Sequence, residues 1–339
     1  MMVASPHIVS GKDAKAHRVV VVVEEQFEVI DLAGPLQVLA TANDFKQYYE
    51  VTTASAHGGR VAAACGLTVE ADPLTALSAA EIDTLVLIGG RSGERAQERF
   101  VSGWLDAQAR RIKRLCGIGF GVEALCASGL ASRDSAARHW RSGDPADPGS
   151  RRWPIARRDG RVWTSCGASA AIDVTLSLVA EDLGEPAALA VAEALVVPLW
   201  RHPDDPQVGD TLAMQVRAGV PFAALLRRMR NNLAPDLRVE QLAEWCNMTP
   251  RTFARRFTES TGMTPAAAVA AMRLEAATAL LKAGHVSLKQ VAARCGFGSE
   301  LNLRRALERA RRSGRPGVPT GNGADPPRPA RGAAPKADE

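Results

Sequence analysis

Two stretches of the chain combine arginines with apolar residues at helical spacing. The first carries four polar side chains able to contact bases or phosphates: Arg251, Thr252, Arg255 and Arg256. Phe253 and Phe257 lie among them, and at about 100° per residue both rings fall on one face while the polar groups fall on the others. Guanidinium groups match guanine O6 and N7 and phosphate oxygens, so the chemistry predicted here is recognition of double-stranded DNA.

The second stretch repeats this arrangement with smaller anchors. Leu303 and Leu307 fall on one face, and three polar side chains point away from them: Asn302, Arg305 and Arg309. Asparagine pairs through two hydrogen bonds with adenine, as arginine does with guanine. For either stretch alone, a solvated basic face on an ordinary helical bundle is the simpler interpretation.

The surroundings of the two stretches are themselves a repeat. At an offset of 49 residues these residues coincide: Gln241 with Gln290, Ala243 with Ala292, Cys246 with Cys295, and Arg255-Arg256 with Arg304-Arg305. Each copy predicts a short helix, a turn and a second helix, which is capped by Thr249 before Pro250 in the first copy and by Ser299 in the second. One continuous helix over residues 265–283 joins the copies. Two capped copies favour tandem helix-turn-helix units over a solvated face.

The positive charge of the chain is concentrated on this repeat. The whole chain has a formal net charge of +5, whereas residues 222–312 hold 16 Lys or Arg against 7 Asp or Glu. Residues 1–221 are net acidic, with 22 basic side chains against 27 acidic ones. A positive surface of this kind attracts the phosphate backbone of nucleic acid.

Cysteine usage and hydropathy argue against several other classes of protein. The six cysteines form no Cys-x-x-Cys pair, and several fall on apolar faces, as small core residues do in a reducing cytosol. No apolar run reaches the roughly 18 residues that span a bilayer, and residues 1–16 lack the apolar core of a signal peptide. We therefore expect a cytoplasmic protein without a metal site, a cofactor or a membrane anchor.

The residues before the repeat alternate between strand and helix patterns. Val19-Val-Val-Val-Val23 and Thr84-Leu-Val-Leu-Ile88 are unbroken apolar runs, typical of parallel strands covered on both faces. Further strands are predicted at 49–53, 66–70, 112–118 and 162–165, with a hairpin turn at 159–160, and helices at 31–42, 94–111, 122–128, 169–183 and 186–200. This order predicts an α/β domain with a doubly wound parallel sheet.

These patterns divide the chain into two domains and two connecting or terminal segments. The α/β domain is predicted at 17–201, and a linker at 202–220 because His202-Pro-Asp-Asp-Pro206 breaks regular structure. An all-α domain with two helix-turn-helix motifs follows at 221–312. Residues 313–339 contain 11 Gly or Pro in 27 residues, so we expect a disordered tail that buries no core.

The sequence of the repeat matches a known pattern in five segments: Val239-Glu-Gln-Leu-Ala243, Met248-Thr-Pro-Arg-Thr-Phe-Ala-Arg-Arg-Phe257, Thr261-Gly-Met-Thr-Pro265, Arg273-Leu-Glu-Ala-Ala277 and Val291-Ala-Ala-Arg-Cys-Gly-Phe-Gly-Ser299. With these segments, about 75 residues resemble the C-terminal DNA-binding domain of the AraC family of bacterial transcription regulators. The resemblance implies binding to a specific operator. From Leu307 to Val318 the sequence departs from the family's closing segment, so the second unit has less support than is usual in the family.

The first domain carries a second set of motifs: Asp31-Leu-Ala-Gly-Pro35, Leu87-Ile-Gly-Gly90, Gly129-Leu130, His139-Trp140, Asp159-Gly-Arg-Val-Trp-Thr-Ser165, Gly167 and Ala171-Ile-Asp173. In these motifs it resembles the PfpI-like, class I glutamine amidotransferase-like superfamily, in the branch with a C-terminal AraC-type domain. The two resemblances together cover about 290 of the 339 residues. They imply a flavodoxin-like fold for residues 17–201.

The resemblance also identifies where a catalytic nucleophile would be. Enzymes of the superfamily carry a cysteine on a sharp turn between a strand and a helix, and the motif register places that turn at Gly119-Phe-Gly121. Gly119 therefore occupies the nucleophile position without a thiol. Cys116 lies three residues earlier, about 10 Å along the strand and on its opposite face. Cys166 stands where the branch has a small apolar residue, so we expect both cysteines to be buried small residues and no residue to be catalytic.

A ligand pocket is predicted instead at the carboxyl ends of the parallel strands. Its predicted lining is Gly89, Gly90, Gly119, Phe120, Gly121 and His139. Backbone amides at the start of the helix after Gly119 would suit an anion. His139, without a thiol beside it, is expected to be either a ligand contact or a structural histidine.

The hypothesis that these observations favour is a sequence-specific DNA-binding transcription regulator whose non-catalytic first domain senses a small-molecule effector. Its expected partners are double-stranded DNA, the effector, a second copy of the chain in a homodimer, and RNA polymerase. The alternative is an amidase or other hydrolase of the PfpI-like superfamily with a DNA-binding appendage, against which the missing thiol at Gly119 argues. A third option, an architectural DNA binder, would discriminate little between specific and random duplexes.

Overall fold

A computed structural model describes residues 16–91, 95–142, 153–234, 237–282 and 286–312. The chain divides into two compact units, Met1–Gly209 and Asp210–Glu339. The tail predicted at 313–339 and residues 1–15 lie outside the described residues.

The first unit is built on a single sheet. In the described part of the chain its eight strands are β1 His17–Val23, β2 Tyr49–Ser55, β3 Gly59–Ala62, β4 Thr68–Pro73, β5 Thr84–Ile88, β6 Arg114–Ile118, β7 Ala156–Asp159 and β8 Val162–Ser165. Their order is β3-β4-β2-β1-β5-β6-β8-β7. The strands from β4 to β8 in that order pair in parallel, whereas β3 and β7 pair antiparallel at the two edges. The predicted parallel sheet is confirmed, and its antiparallel edge strand β3 was missed.

Among the residues that the structure describes, five α-helices cover the two faces of this sheet: α1 Val29–Phe45, α2 Arg95–Gln108, α3 Gly121–Ala127, α4 Ala170–Leu183 and α5 Glu185–Ala194. The valines of β1 show why that strand has no polar alternation. Val19, Val21 and Val23 pack into the core beneath α1 and α4, while Val20 and Val22 pack into the core beneath α2 and α3. A strand covered on both faces needs apolar residues at every position.

The fifth helix is shorter than the predicted helix over 186–200. It ends at Ala194, and Val196 takes a positive φ of 54° outside the helix. The chain beyond it is held against α4, because the Trp200 indole N–H donates to the Asp173 carbonyl and the Arg201 guanidinium pairs with the buried Asp173 carboxylate at 2.6 Å. This charge-assisted pair with a buried carboxylate ties the residues after α5 to α4.

The second unit is helical in all its described elements: α6 Asp210–Asn231, α7 Val239–Glu244, α8 Pro250–Thr261, α9 Pro265–Lys282, α10 Leu288–Arg294 and α11 Glu300–Arg312. The structure differs here from the predicted linker at 202–220 and the predicted start of the all-α domain at residue 221. Helix α6 begins at Asp210, because Met214 and Ala218 are buried in the core of the unit and the Thr211 hydroxyl donates to Glu275 of α9 at 2.6 Å. Proline favours the first turn of a helix, but core packing carries α6 through Pro221.

Candidate functional site

The first DNA-reading candidate, α8, is held by two aromatic anchors. Phe253 and Phe257 are both 0% exposed, and each packs its ring against Phe222 of α6, with centroids 6.1 and 5.4 Å apart. The Thr249 hydroxyl accepts a hydrogen bond from the Thr252 amide at 3.3 Å, which confirms the predicted cap. The cap therefore fixes the start of α8 and the two rings fix its buried face. The opposite face has a defined orientation as a result.

The outward face of α8 carries the predicted arginines. Arg251, Arg255 and Arg256 are exposed, and Thr252 is half-buried beside the cap. Arg255 lies 3.4 Å from Glu259, one turn along the helix, with side chains 68% and 60% exposed. A pair this exposed contributes only a few tenths of a kcal/mol, so Arg255 can exchange Glu259 for a base or a phosphate at little cost.

The two copies do not keep one register through their second helices. The cap follows Cys246 by three residues in the first copy and Cys295 by four in the second, where Ser299 accepts from the Asn302 amide. The longer turn of the second copy contains two glycines at positive φ, Gly296 and Gly298. Caps and buried anchors therefore coincide at an offset of 50 residues, and the predicted match of Arg255-Arg256 with Arg304-Arg305 is wrong.

In the corrected register, Arg255 corresponds to Arg305 and Arg251 corresponds to Leu301. Helix α11 buries Leu303, Leu307 and Ala310. At about 100° per residue, Leu301 and Arg305 lie opposite this buried face. Leu301 was not among the residues predicted from the sequence, because a search for hydrogen-bonding side chains passes over a leucine.

The other two predicted contacts of α11 stand to the side of this outward face. Asn302 and Arg309 are exposed and border a groove of about 1060 Å³ between α9 and α11. The Asn302 side-chain amide donates to the Phe297 carbonyl at 3.1 Å. Its second N–H and its Oδ1 stay available for adenine, while the bond to Phe297 limits the orientation of the side chain.

In the first unit, the predicted turn between a strand and a helix is present at Gly119. Gly119 follows β6, takes a positive φ of 57° and donates its amide to the Ser165 carbonyl at 3.0 Å. A Cβ atom built on Gly119 would lie 2.3 Å from Oδ2 of Asp31. The space where a nucleophilic side chain would begin is therefore taken by a carboxylate.

Asp31 is the side chain at this turn that sequence reasoning missed as a site residue. It is 2% exposed, and its Oδ1 accepts a hydrogen bond of 2.6 Å from the Ala168 amide. Oδ2 faces Gly119 and Gly167, and a Cβ on Gly167 would lie 2.9 Å from it. Among the described residues, no hydrogen bond is donated to Oδ2. The carboxylate thus joins the start of α1 to the loops after β6 and β8.

The other glycines of the predicted pocket serve close backbone packing. A Cβ on Gly90 would lie 1.7 Å from the Glu25 carbonyl oxygen, one on Gly121 would lie 1.9 Å from that of Leu87, and one on Gly89 would lie 2.6 Å from Phe120. The amides of Val122 and Glu123 in the first turn of α3 already donate to the carbonyls of Gly119 and Phe120. These two amides are therefore used within the turn, and the anion site expected at the start of this helix stays a prediction.

Phe120 and His139 present side chains rather than backbone at this edge of the sheet. Phe120 is 46% exposed. The Arg141 amide donates to His139 Nδ1 at 3.2 Å, which is possible only for the neutral ring. Partial burial, assisted by the charge of Arg141, lowers the pKa of His139, against the opposing influence of Glu28. The charge of Glu28 also raises the pKa of Asp31. Glu28, Asp31 and His139 therefore share one electrostatic environment.

The cysteines nearest the turn are buried thiols. Cys116 is 0% exposed within the core beneath α1 and α4, and Cys166 is 5% exposed. Burial raises the pKa of each thiol to about 12. A thiol attacks as the thiolate, and neither sulfur is in that form near neutral pH.

The buried Asp31 makes stability depend on pH. Burial raises its pKa from 3.8 to about 6, opposed by the Ala168 amide and assisted by Glu28. From about pH 4 to about pH 6 the unfolded chain releases this proton while the folded chain keeps it, so stability falls as pH rises. We expect Asp31→Asn to raise the free energy of unfolding by up to about 3 kcal/mol at pH 8.

Urea denaturation of the parent and Asp31→Asn between pH 4 and pH 8 measures this effect. The gain should shrink toward zero near pH 4, where both side chains are neutral. A difference that is constant across the range would show that ionisation of Asp31 is not its cause.

The chain is similar to known proteins in both of its units. A model of the DJ-1/PfpI family matches residues 17–181, and a model of a helix-turn-helix domain matches residues 242–312. The HTH-type transcriptional regulator CdhR of Pseudomonas aeruginosa is 30% identical over 282 residues, which cover 80% of this chain and 82% of that protein. The HTH-type transcriptional regulator GbdR of the same species is 27% identical over 281 residues, which cover 81% of this chain and 76% of that protein. A crystal structure of an AraC family transcriptional regulator from Pseudomonas putida aligns with 53% of this chain and 99% of its own, at 23% identity and a TM-score of 0.43.

No helix in the described ranges is long and apolar enough to cross a membrane. The same residues contain no group of three or more His, Cys, Asp and Glu side chains arranged to hold a metal ion. The matches to both domains and the extent of the similarity to CdhR establish the family. The chain belongs to the AraC-type, DNA-binding transcriptional regulators that carry a DJ-1/PfpI domain ahead of their helix-turn-helix domain.

Proposed function

We propose that this regulator binds one specific operator through both helix-turn-helix units. The observation that carries the proposal is the outward pair Arg251 and Arg255 on a helix fixed by a cap and two buried aromatic rings. Helix α9 has 18 residues and so spans about 27 Å, close to the roughly 34 Å between successive major-groove faces. This supports contacts by α8 and α11 with one side of a single duplex.

Arg255→Ala tests this proposal. We expect operator binding to weaken by about 1 to 3 kcal/mol and base preference to relax at one position, as for loss of a base contact. Titrations of the full-length protein with operator and with random duplex measure both effects. Arg227→Ala is the matched control, because Arg227 is an exposed arginine of α6 that lies on neither reading helix.

The outcome that would contradict the assignment is equal weakening on operator and random DNA. Arg255 would then contact phosphate alone. If the parent protein itself failed to distinguish operator from random duplex, the proposal of sequence-specific binding would be wrong.

We further propose that the first unit is a sensor without catalytic activity. The support is steric and electrostatic: Asp31 fills the space of a nucleophilic side chain at Gly119, and Cys116 and Cys166 are buried thiols of raised pKa. A nucleophile also needs a base within hydrogen-bond reach and donors for the oxyanion. His139, the histidine of the superfamily motifs, already accepts a hydrogen bond from a backbone N–H at Nδ1.

Gly119→Cys should therefore not create a hydrolase. Its Cβ would displace the Asp31 carboxylate, and the new thiol would lie beside a carboxyl group rather than an oriented imidazole. Assays of simple amides and esters at pH 7 should give the parent rate. Turnover well above that rate would show that the site has kept catalytic machinery, and would favour the hydrolase.

We infer that the effector presents a hydrogen-bond donor or a positive charge to Asp31. Glu24, Glu25, Glu28 and Asp31 all lie near the carboxyl end of β1, and Glu24 and Glu25 accept from the amides of Gly90 and Ala62. Asp31 Oδ2 has no donor among the described residues. Thermal-shift titrations with small amines and small carboxylates test this: amines should stabilise the parent but not Asp31→Asn, and stabilisation by carboxylates alone would contradict it.

Homodimer formation and contact with RNA polymerase stay predictions. Sedimentation of the full-length protein, alone and on operator DNA, checks the first.

A further inference from the structure

Leu301 lies at the N-terminal end of α11, which is the end that a recognition helix places against DNA. Leu301 is the second residue of α11 and is 56% exposed. It lies opposite the buried face formed by Leu303 and Leu307. Burial within the protein therefore does not account for an apolar residue at this position.

The equivalent position in the first copy is an arginine. With caps and anchors superposed at an offset of 50 residues, Leu301 corresponds to Arg251, as Arg305 corresponds to Arg255. Residues near the N-terminus of a recognition helix are those that contact base edges. Both copies therefore carry an arginine at one outward position, Arg255 and Arg305. They differ at the other outward position, where the second copy has Leu301.

Leu301 is an apolar residue on an outward face whose other side chains are charged, since Arg305, Glu308 and Arg312 are all exposed there. Glu300 is bound to Arg304 at 2.7 Å, so this acid is neutralised along its own helix. Arg305 and Arg312 are exposed on the same side, where they can contact phosphates. These contacts would hold the N-terminal end of α11 in the groove without a hydrogen bond from residue 301.

A leucine side chain can recognise one feature of the major groove. It has no donor or acceptor, and against most base edges it would remove water from polar groups without replacing their hydrogen bonds. The 5-methyl group of thymine is the apolar group on the major-groove edges of the bases. We propose that Leu301 contacts a thymine methyl group in the second half-site, at the position where Arg251 contacts the first half-site. This inference rests on the proposed binding to a specific operator.

Deoxyuridine provides a direct test, because it differs from thymidine by this methyl group alone. The operator is first selected from random duplexes with the full-length protein, and each thymine of both half-sites is then replaced in turn by deoxyuridine. We expect one replacement in the second half-site to weaken binding about fourfold, as for one methyl group returned to water. Leu301→Ala should weaken binding to the thymine operator by a similar or larger factor and should be insensitive to that replacement.

Two further variants separate a methyl contact from general effects. Arg305→Ala should weaken binding but keep the deoxyuridine sensitivity, because Leu301 remains. Leu301→Arg should move the preferred base at that position from thymine toward guanine, as for Arg251. Circular dichroism should be unchanged in all three variants, because both side chains are exposed.

Three results would overturn the inference. One is an absence of any deoxyuridine effect in the second half-site with the parent protein. Another is a deoxyuridine effect that persists in Leu301→Ala. A third is unaltered DNA binding by Leu301→Ala, which would indicate that Leu301 contacts a protein partner instead of DNA. If selection yields no preferred sequence, the proposed operator binding fails and this inference fails with it, whereas a preferred sequence without methyl sensitivity removes this inference alone.

Discussion

Gly121→Ala is expected to lower the free energy of unfolding of the first unit by about 3 kcal/mol or more. The added Cβ would lie 1.9 Å from the carbonyl oxygen of Leu87 and 2.4 Å from its carbonyl carbon. Both atoms belong to the backbone of β5, so no rotamer change can relieve the overlap. Either β5 or the start of α3 must move.

Hydrogen exchange measured by mass spectrometry follows the two units separately. Gly103→Ala is the matched control, because Gly103 lies in α2 and a Cβ there would meet nothing within 4 Å. That control should be neutral, or stabilising by up to about 1 kcal/mol as a helical glycine is replaced. A Gly121→Ala protein as stable as Gly103→Ala would show that the packing of β5 against the turn is looser than described.

The consequence for the sensor site is specific. Because Gly119 and Gly121 bracket one turn, we expect a shift of α3 away from β5 to change the position of Gly119 relative to the Asp31 carboxylate. We therefore expect Gly121→Ala to alter the environment of Asp31 as well as stability. The free energy of unfolding of Gly121→Ala should depend less on pH than that of the parent. The part that is lost should belong to the pH dependence that Asp31→Asn removes.

Parallel-strand architecture was predictable because its chemical requirement is local. A strand covered on both faces must be apolar at each position, and Val19 to Val23 and Thr84 to Ile88 meet that requirement within five residues each. The turn at Gly119 was predictable for a similar reason, since a strand and a helix pattern meet there within a few residues. In both places the evidence lies within one short window.

The role of Asp31 was not available from a local pattern. Asp31 lies far from both Gly119 and Gly167 in the sequence, and the parallel sheet brings the three together at the carboxyl ends of its strands. Sequence motifs marked each of the three positions but not their contact. The pairing of amides in this turn was also not available from a local pattern, because only the turn's conformation brings the carbonyls of Gly119 and Phe120 to the amides of Val122 and Glu123.

The register of the second copy shows another limit of pattern matching. Matches in the first helix of each copy, such as Cys246 with Cys295, set an offset that one extra turn residue then invalidates. Two arginines at 304 and 305 allow either offset, so charge alone does not reveal the slip. Burial of Leu303 and Leu307 decides it, and with it the assignment of Leu301 to the outward face.

Phe257→Ala is expected to cost the second unit about 3 to 5 kcal/mol of stability. Phe257 is 0% exposed, and its ring packs 5.4 Å from the rings of both Phe222 and Phe253. Removing it leaves a cavity where α8 meets α6, and Phe253 alone then holds the aromatic face of α8 against Phe222. Specific DNA binding should fall further than in Arg255→Ala, because the orientation of every outward side chain of α8 then depends on one ring instead of two.

Phe257→Leu is the matched variant, since it keeps an apolar side chain in the space. It should lose less stability than Phe257→Ala and retain preference for the operator over random duplex. Hydrogen exchange of the second unit and operator titrations measure the two effects on the same proteins. If Phe257→Ala kept both the stability of this unit and the parent's operator preference, the aromatic anchors would not position the reading helix, and the arginines of α8 would need another source of order.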